Sequence, residues 1–233
     1  MDVIVIGGGI GGVATAYQLR AAGHRVCVVE RHATVAQGAT YGHGGVVLPT
    51  PLDVWFGPTF MHHRRASRGG IVYKPGLNGP VRRFVRQLAA LRAPDAFEAQ
   101  YAKLKPLVDL SREAIVAIEQ RFGLEFEQRP GVLHVIRDKQ EWAQAQTALE
   151  LLRKTDTPHR VLSAAECAAL EPSVPADPPF AGGVLLEHDR TGNCPLFAKL
   201  VKQVLDEHGV QFRFGRAVSA IRVEAQRAAR KWT

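Results

Sequence analysis

Three glycines near the N-terminus have the spacing that lets a protein backbone approach a diphosphate. The stretch GGGIGG places Gly7, Gly9 and Gly12 in the pattern GxGxxG, directly after the apolar run VIVI. The first glycine permits a tight turn, the second lets the backbone approach a pyrophosphate, and the third lets a helix pack closely on a strand. The free N–H groups at a helix N-terminus attract phosphate. The pattern therefore predicts a dinucleotide site, with Ile10 and Gly11 in the same turn.

Two apolar strands and a helix must surround these glycines if they are to hold a nucleotide. The sequence predicts a strand over 3–6, a helix that follows the glycines and ends before Gly23, and a second strand, RVCVVE, that ends at Glu30. Glu30 follows the glycines by about twenty residues, where an acidic side chain accepts hydrogen bonds from a ribose 2′-hydroxyl. A 2′-phosphate would be repelled there, so NADP is disfavoured, whereas NAD and FAD both remain open.

The loop after the second strand, ATVAQGATYGHGGVVLP, is rich in small residues and contains one histidine. Together with the glycine pattern, it resembles the FAD-dependent amine and amino-acid oxidoreductases, the family that includes D-amino-acid oxidase, glycine oxidase and sarcosine oxidase. In this family the loop runs along the flavin and carries Ser or Thr a few residues before a small residue and Gly. Thr40, followed by His43, Gly44 and Gly45, matches that arrangement.

The resemblance is strongest to the small subunit of bacterial D-amino-acid dehydrogenase, which has Ala-Ser-aromatic-small-Asn-small-Gly in this loop. This chain has ATYGHGG, so His43 stands where Asn is common. The resemblance implies FAD as the cofactor, bound by the glycine turn, by Glu30 and the adjacent Arg31, and by the loop from Thr40 to Gly45. An ordinary polar loop is the alternative for Thr40 and His43.

A second stretch, GGVLLEHDRTGNCPLFAKLVKQVLDEHGVQFRFGRAVSAI, resembles the strand, turn and helix that lead back into the FAD domain of the same family. Asn193 or Cys194 can cap the helix, and Gly209 can end it. The predicted apolar face of this helix consists of Leu196, Leu200 and Val204. In the family, a valine in the next short strand contacts the adenine ring through its backbone. Val218 matches that valine, and a core residue without a ligand is the alternative.

The resemblance implies an α/β fold, with a Rossmann-type FAD-binding domain and an inserted α+β substrate domain that is incomplete at the C-terminus. Residues 1–50 and 186–223 are expected to form the FAD-binding domain, 51–185 part of the substrate domain, and 224–233 an atypical tail. Family members continue for roughly as long again, so the ending EAQRAARKWT is interpreted as a truncation, with a small native cap as the alternative. Its alanines and arginines favour a helix.

Three elements are predicted within the inserted segment. The stretch PLVDLSREAIVAIEQRFG predicts a helix whose apolar face consists of Leu107, Leu110, Ala114 and Ile118. LEFEQRPGVLHVIRD predicts a hairpin that turns at Arg129, Pro130 and Gly131. EWAQAQTALELLRK predicts a second amphipathic helix, with an apolar face of Trp142, Ala145, Leu149 and Leu152.

The reaction that the resemblance implies is oxidation of the C–N bond of an amino acid. A hydride passes from the α-carbon to flavin N5, and the resulting imine hydrolyses to a keto acid and ammonia. Because the flavin accepts the electrons, no protein nucleophile is required, and the sequence singles out no catalytic residue. Two alternatives stay open: an amine oxidase like glycine or sarcosine oxidase, and a remnant that binds FAD or ADP without turnover. The sequence leaves the electron acceptor open.

The net charge of +8 is concentrated in one segment. Between residues 51 and 93, eight basic residues stand against one acid, Asp53. The segment Trp55–Arg68 combines aromatic residues with arginines, which suits contact with an anionic membrane surface or an electron-acceptor protein. A solvated face is the alternative. No nucleic-acid motif accompanies the charge, so no nucleic-acid partner is expected.

Other features predict a cytoplasmic protein, with peripheral contact at the inner membrane face as the finer expectation. No run of about 18 apolar residues predicts a transmembrane helix, and the N-terminus lacks the pattern of a secretory signal. The widely spaced Cys27, Cys167 and Cys194 fit a reducing compartment. His62 and His63 have no cysteine or acid at ligand spacing, so no metal site is expected.

Overall fold

The computed structural model describes residues 1–47, 94–174, 181–224 and 227–229, together with four positions between 79 and 87. The chain divides into two compact units. The first unit consists of residues 1–45, 117–128 and 192–233, and the second consists of residues 46–116 and 129–191. The predicted inserted segment 51–185 differs from the second unit, because residues 117–128 belong to the first.

The first unit contains a parallel sheet and helices, and the predicted α/β class is confirmed. Its main elements are β1 (Asp2–Ile6), α1 (Ile10–Ala21), β2 (Arg25–Val29), α5 (Cys194–Glu207) and β7 (Gln211–Arg213). Among the described residues the strand order is β1-β2-β7, with every pair parallel. The strands are apolar runs because a parallel sheet is covered on both faces. Val26, Val28 and Val29 are accordingly buried.

Helix α1 follows the prediction closely. Val13 and Ala16 lie on its buried side and are fully enclosed. The helix ends at Ala21, and Gly23 adopts a φ of +83°, the left-handed conformation that commonly terminates helices. The predicted strands on either side of α1 are confirmed, with Glu30 directly after β2.

Helix α5 begins as predicted but buries a different face. The Asn193 side chain accepts a hydrogen bond from the Leu196 N–H at 3.0 Å and caps the helix, and Gly209 follows its C-terminus with a φ of +79°. The buried residues are Phe197, Ala198, Val201, Val204 and Leu205. Of the predicted face, Val204 is buried, whereas Leu196 and Leu200 are only partly buried. Apolar residues cover more than half of this helix, so periodicity alone does not select the buried side.

Residues 117–128 contact the other elements of the first unit through aromatic side chains. Phe126 is buried and meets Phe197 with ring centroids 4.8 Å apart, and Phe122 meets Tyr17 edge-on at 6.1 Å. The Asn193 N–H donates to the Phe126 carbonyl at 2.8 Å. These contacts explain why this short stretch belongs with α1 and α5 rather than with its neighbours in sequence.

The second unit is built on an antiparallel sheet, with helices from the same segment. Its strands are β3 (Val46–Val47), β4 (Arg129–Ile136), β5 (Arg160–Leu162) and β6 (Gly182–Thr191). Its helices are α3 (Lys139–Lys154), α4 (Ala164–Leu170) and most of α2 (Pro94–Phe122). In the described residues β6 pairs with β3, β4 and β5. At Gly183 a Cβ would lie 2.9 Å from both the Cys167 Sγ and the His134 carbonyl oxygen, so strand and helix pack closely there.

The predicted hairpin with a turn at Arg129, Pro130 and Gly131 is wrong. These residues lie inside β4, which pairs with β6 from Arg129 to Ile136. The register shifts between Pro130 and Val132, and Gly131 has a φ of +82°. Between these pairs Gly131 alone stands opposite residues 187–189 of β6, so the extra residues of this bulge belong to β6. The strand β4 pairs with β6 on both sides of Gly131, and the chain does not reverse there.

Helix α2 is longer than predicted and buries other residues. It begins at Pro94 and ends before Gly123, as the sequence indicated for its C-terminus. Leu107 and Leu110 are exposed, against the prediction, whereas Ile118 is buried. Near the N-terminal end, Phe97 and Tyr101 pack with Leu151, and the Tyr101 hydroxyl lies 3.1 Å from the Thr157 hydroxyl.

Helix α3 and its apolar face are confirmed. Leu149 and Leu152 form a cluster with Ile136, Val184 and Leu186 of the sheet, and Trp142 and Ala145 pack against this cluster. Helix α4 begins with a capping box. Ser163 and Glu166 exchange hydrogen bonds, and these bonds hold the pKa of Glu166 below its usual range.

The prediction of a helical C-terminal tail is wrong over its described part. Arg222–Glu224 (β8) and Arg227–Ala229 (β9) pair as antiparallel strands. Helix propensity is a weak preference, and strand pairing overrides it here.

The buried cluster around Leu149 is expected to stabilise the second unit. The substitution Leu149→Ala should lower the free energy of unfolding by about 2–5 kcal/mol, because it removes buried methyl groups and leaves a cavity. Leu107→Ala is the matched control, since Leu107 is 62% exposed, and it should change the same quantity by less than about 0.5 kcal/mol. Urea denaturation of both variants would measure this. Equal effects would contradict the assigned core.

Candidate nucleotide-binding site

The glycine turn after β1 brings helix α1 close to the strand. Gly7 has a φ of +100°, and its N–H donates to the Val29 carbonyl at 2.8 Å. A Cβ on Gly12 would lie 1.9 Å from the Gly7 carbonyl oxygen, so no other residue type fits at Gly12 without moving backbone. Gly7 and Gly12 thus have the turn and packing geometry that the pattern predicts.

The N-terminus of α1 lies at Gly9, close to Thr40. Gly9 is the N-cap residue and supplies no side-chain cap, while its carbonyl accepts the first helical hydrogen bond, from Val13. The Ile10 N–H donates to the Thr40 hydroxyl at 3.0 Å, and Thr40 is buried. Gly11 continues the first turn, where helical N–H groups have no partner within the helix.

Glu30 is buried, and backbone groups orient its carboxylate. One oxygen accepts a hydrogen bond from the Gly8 N–H at 2.5 Å, and the other accepts one from the His32 N–H at 2.8 Å. A carboxylate offers about four acceptor positions, so two remain for ligand hydroxyls. The arrangement places a carboxylate in a fixed orientation beside the glycine turn.

The loop from Thr40 to Gly45 is held by backbone contacts. The His43 Nδ1 accepts from the Gly45 N–H at 3.0 Å, and the His43 residue is exposed. Gly45 has a φ of +75°, and its carbonyl accepts from the Gly192 N–H at 2.8 Å. Its Cβ position would be 2.9 Å from the Gly192 carbonyl oxygen, whereas nothing lies within 4 Å of that position at Gly44.

Arg31 and Val218 are the predicted residues that lie outside this arrangement of the turn, Glu30 and the loop. Arg31 is exposed, and its Nε donates to the His32 ring at 3.2 Å. Val218 is half-buried and belongs to an irregular segment before β8 (Arg222–Glu224), so its prediction as a strand residue is wrong. The turn at Gly215, which has a φ of +65°, ends the regular strand before Val218 is reached.

The sequence did not single out Gly8 and His32. Both contribute backbone N–H groups to Glu30, and a backbone donor leaves no signature in residue type. A Cβ on Gly8 would contact the Glu30 side chain at 3.3 Å, so the run of three glycines leaves room for the buried acid.

The geometry fits the adenosine and diphosphate parts of a dinucleotide such as FAD. The glycine turn has no side chains that would occupy the phosphate position, and the helix N-terminus supplies N–H donors and a partial positive charge. Glu30 adds a buried carboxylate beside the turn. Each of these groups lies in the first unit.

Several other predictions concern different parts of the chain. The segment Trp55–Arg68 and the pair His62 and His63 lie outside the described residues. The three cysteines are free thiols, and burial raises the pKa of Cys194. Within the described ranges, no helix has the length and apolar character to cross a membrane. The same ranges contain no cluster of three His, Cys, Asp or Glu suited to a metal ion.

Solved structures share this fold. Glycine oxidase from Geobacillus kaustophilus aligns with 95% of this chain and 48% of its own chain, with a TM-score of 0.64 and 19% identity. L-Amino acid deaminase from Proteus myxofaciens aligns with 97% of this chain and 41% of its own, with a TM-score of 0.63 and 16% identity. At these identities the likeness concerns the fold alone.

Curated relatives match the sequence more closely. A D-amino acid dehydrogenase from Cereibacter sphaeroides is 31% identical over 238 residues, which cover 97% of this chain and 53% of the relative. Another D-amino acid dehydrogenase, from Chromohalobacter salexigens, is 30% identical over 240 residues, which cover 99% of this chain and 57% of the relative. The chain thus spans about half the length of the curated relatives it matches.

A family model covers nearly the whole chain. The family model described as FAD dependent oxidoreductase matches residues 2–233, which is nearly the whole sequence. The chain therefore belongs to the family of FAD-dependent oxidoreductases that includes D-amino-acid oxidase, as the resemblance of its glycine pattern and following loop implied.

Proposed function

We propose that this chain binds FAD and contributes to oxidation of the C–N bond of an amino acid, as a protein of the D-amino acid dehydrogenase type. The observation that carries the proposal is the convergence of the glycine turn, the α1 N-terminus and the buried Glu30 carboxylate. The names of the curated relatives support a D-amino acid as the substrate. The product would be a keto acid with release of ammonia.

Each part of the site has a separate task in holding the cofactor. The N–H groups at the start of α1 face the diphosphate, and Gly9 keeps that position free of a side chain. Thr40 accepts from the Ile10 N–H, so its hydroxyl proton is free to point at a phosphate oxygen. Glu30 accepts from the ribose hydroxyls while Gly8 and His32 keep its carboxylate in place.

Bound FAD would supply the electron-accepting chemistry, and the protein would supply orientation and electrostatics. Among the described residues we assign no catalytic acid or base. Their contribution is to bind the adenosine end of the cofactor and to fix the loop from Thr40 to Gly45 through its bonds to Gly192. Gly44 leaves space beside this loop, which suits close approach of a flat ring.

The direct test is whether the purified chain retains FAD. FAD is added, unbound FAD is removed by desalting, and the visible spectrum is recorded. Retained flavin absorption supports the proposal, and bleaching on addition of a D-amino acid would extend it to turnover. Retained absorption without bleaching would leave binding without catalysis as the function of the chain. A colourless protein that is nonetheless folded by circular dichroism would contradict the proposal.

Gly12 should be essential for that retained flavin. Gly12→Ala places a methyl group 1.9 Å from the Gly7 carbonyl oxygen, so the turn must open and the FAD absorption after desalting should be lost. Gly38→Ala is the matched control, because no atom lies within 4 Å of its Cβ position and it should retain flavin. If Gly12→Ala bound FAD as tightly as the control, the proposed role of the turn would be wrong.

Thr40 tests the contact of the loop with the diphosphate. Thr40→Val has nearly the same shape but no hydroxyl, and it should weaken FAD binding by about 1–3 kcal/mol, or roughly 5- to 150-fold. Thr40→Ser keeps the hydroxyl and should stay within about threefold of the wild type. Titration of protein fluorescence with FAD would measure both dissociation constants. Equal losses in both variants would indicate a packing role for the threonine.

We further propose that the segment Trp55–Arg68 contacts an anionic membrane surface, where an electron acceptor would reside. Its aromatic residues and arginines support this on sequence grounds. Vesicles with phosphatidylserine should sediment the chain at low salt, and neutral vesicles should not. Replacement of Arg64, Arg65 and Arg68 by Gln should abolish the difference. Absence of sedimentation with anionic vesicles would count against membrane contact.

A further inference from the structure

The backbone around Glu30 is held by a segment far away in sequence. The Glu30 N–H donates to the Arg213 carbonyl at 2.9 Å, and the Arg216 N–H donates to the Glu30 carbonyl at 3.0 Å. The Gly215 N–H donates to the His32 carbonyl at 3.0 Å. Residues 213–216, which begin at the last regular pair of β2 with β7, therefore bind Glu30 and His32 through their backbones.

The conformation of Gly215 makes this double contact possible. In an extended strand, successive N–H groups point in opposite directions. Gly215 has a φ of +65°, and the consecutive N–H groups of Gly215 and Arg216 both donate to the 30–32 stretch. Left-handed backbone of this kind makes neighbouring N–H groups converge on one side. An L-residue with a side chain adopts this φ only with strain, so glycine has a positional role here.

The backbone of His32 connects these bonds to the Glu30 carboxylate. The His32 N–H donates to the carboxylate at 2.8 Å, and the carbonyl of the same residue accepts from Gly215. A shift of the 213–216 segment would therefore move the donor that orients the acid. The second donor, the Gly8 N–H, belongs to the glycine turn and would keep its place.

We propose that the 213–216 segment is the positioning element for Glu30, and that Gly215 sets the preference of the site for a ribose with a 2′-hydroxyl. This inference rests on the proposed nucleotide-binding function and adds a specificity-determining residue to it. Gly215 touches no ligand itself, and its effect passes through the backbone of residues 30–32.

Two probes isolate the ribose contact from the rest of the site. ADP and 2′-deoxy-ADP share the base and the diphosphate and differ in the hydroxyl that Glu30 would accept. The wild-type chain should bind ADP at least about tenfold more tightly, since a hydrogen bond to a charged group is lost in the deoxy compound. In Gly215→Val this ratio should fall below about threefold, as measured by isothermal titration calorimetry.

Gly209→Val is the matched control. Gly209 also has a positive φ, +79°, lies in the same unit and has no atom within 4 Å of its Cβ position. Its N–H donates to the Asp206 carbonyl at the end of α5 rather than to residues 30–32. Gly209→Val should suffer comparable backbone strain and retain the wild-type ratio. Gly215→Asn, which tolerates the left-handed conformation, should also retain it. If Gly215→Val is too unstable to titrate, Gly215→Ala provides the same measurement with less strain.

Amide hydrogen exchange separates this inference from the proposed function. In the absence of nucleotide, the His32 amide should exchange at least about tenfold faster in Gly215→Val than in Gly209→Val. An unchanged nucleotide ratio, or an unchanged His32 amide, would overturn the positioning role even if the chain binds ADP. A wild-type chain that binds neither nucleotide would overturn the proposed function and the selectivity inference. In that case, faster exchange of the His32 amide in Gly215→Val alone would still support the positioning of residues 30–32 by the 213–216 segment.

Discussion

The close approach of helix α1 to the turn after β1 is the constraint on which the candidate site depends. The approach is possible because Gly12 has no side chain. A Cβ at this position would collide with the Gly7 carbonyl oxygen. The approach aims the N-terminus of α1 at the end of the sheet. The Gly8 N–H of the turn donates to the Glu30 carboxylate, and the Ile10 N–H at the helix start donates to the Thr40 hydroxyl, so the turn and the helix bind both the acid and the loop.

Glu30 makes that place chemically specific. A buried carboxylate is costly unless hydrogen bonds replace its water, and here two backbone N–H groups do so. These donors also limit its rotation, which leaves the remaining acceptor positions in fixed directions. The site thus joins the first forty residues to the segment around Gly215, which contributes only main-chain groups. Main-chain hydrogen bonds of this kind leave no signature in residue type, yet they fix the backbone on both sides of the Glu30 carboxylate.

The second unit follows a different principle. Its antiparallel sheet is organised around β6, which has pairing partners over most of its length, and its described core residues form several small clusters. The strand β6 bulges opposite Gly131, and the missing side chain at Gly183 lets α4 pack closely on this central strand. Proline followed by glycine usually indicates a chain reversal, but β4 pairs with β6 on both sides of Gly131 and therefore continues.

The sequence by itself determined the nucleotide-binding motif, because the glycines act through the absence of a side chain and Glu30 through its charge, both of which are properties of residue type. It also determined α1, α3 and the start of α5, where capping residues and periodicity agree. Tertiary structure decided which side of α5 is buried, that Leu107 is exposed, and that Pro130 and Gly131 continue a strand. It also decided how Gly8, His32 and Gly215 hold the acid, since contacts between backbone groups distant in sequence depend on the folded path of the chain.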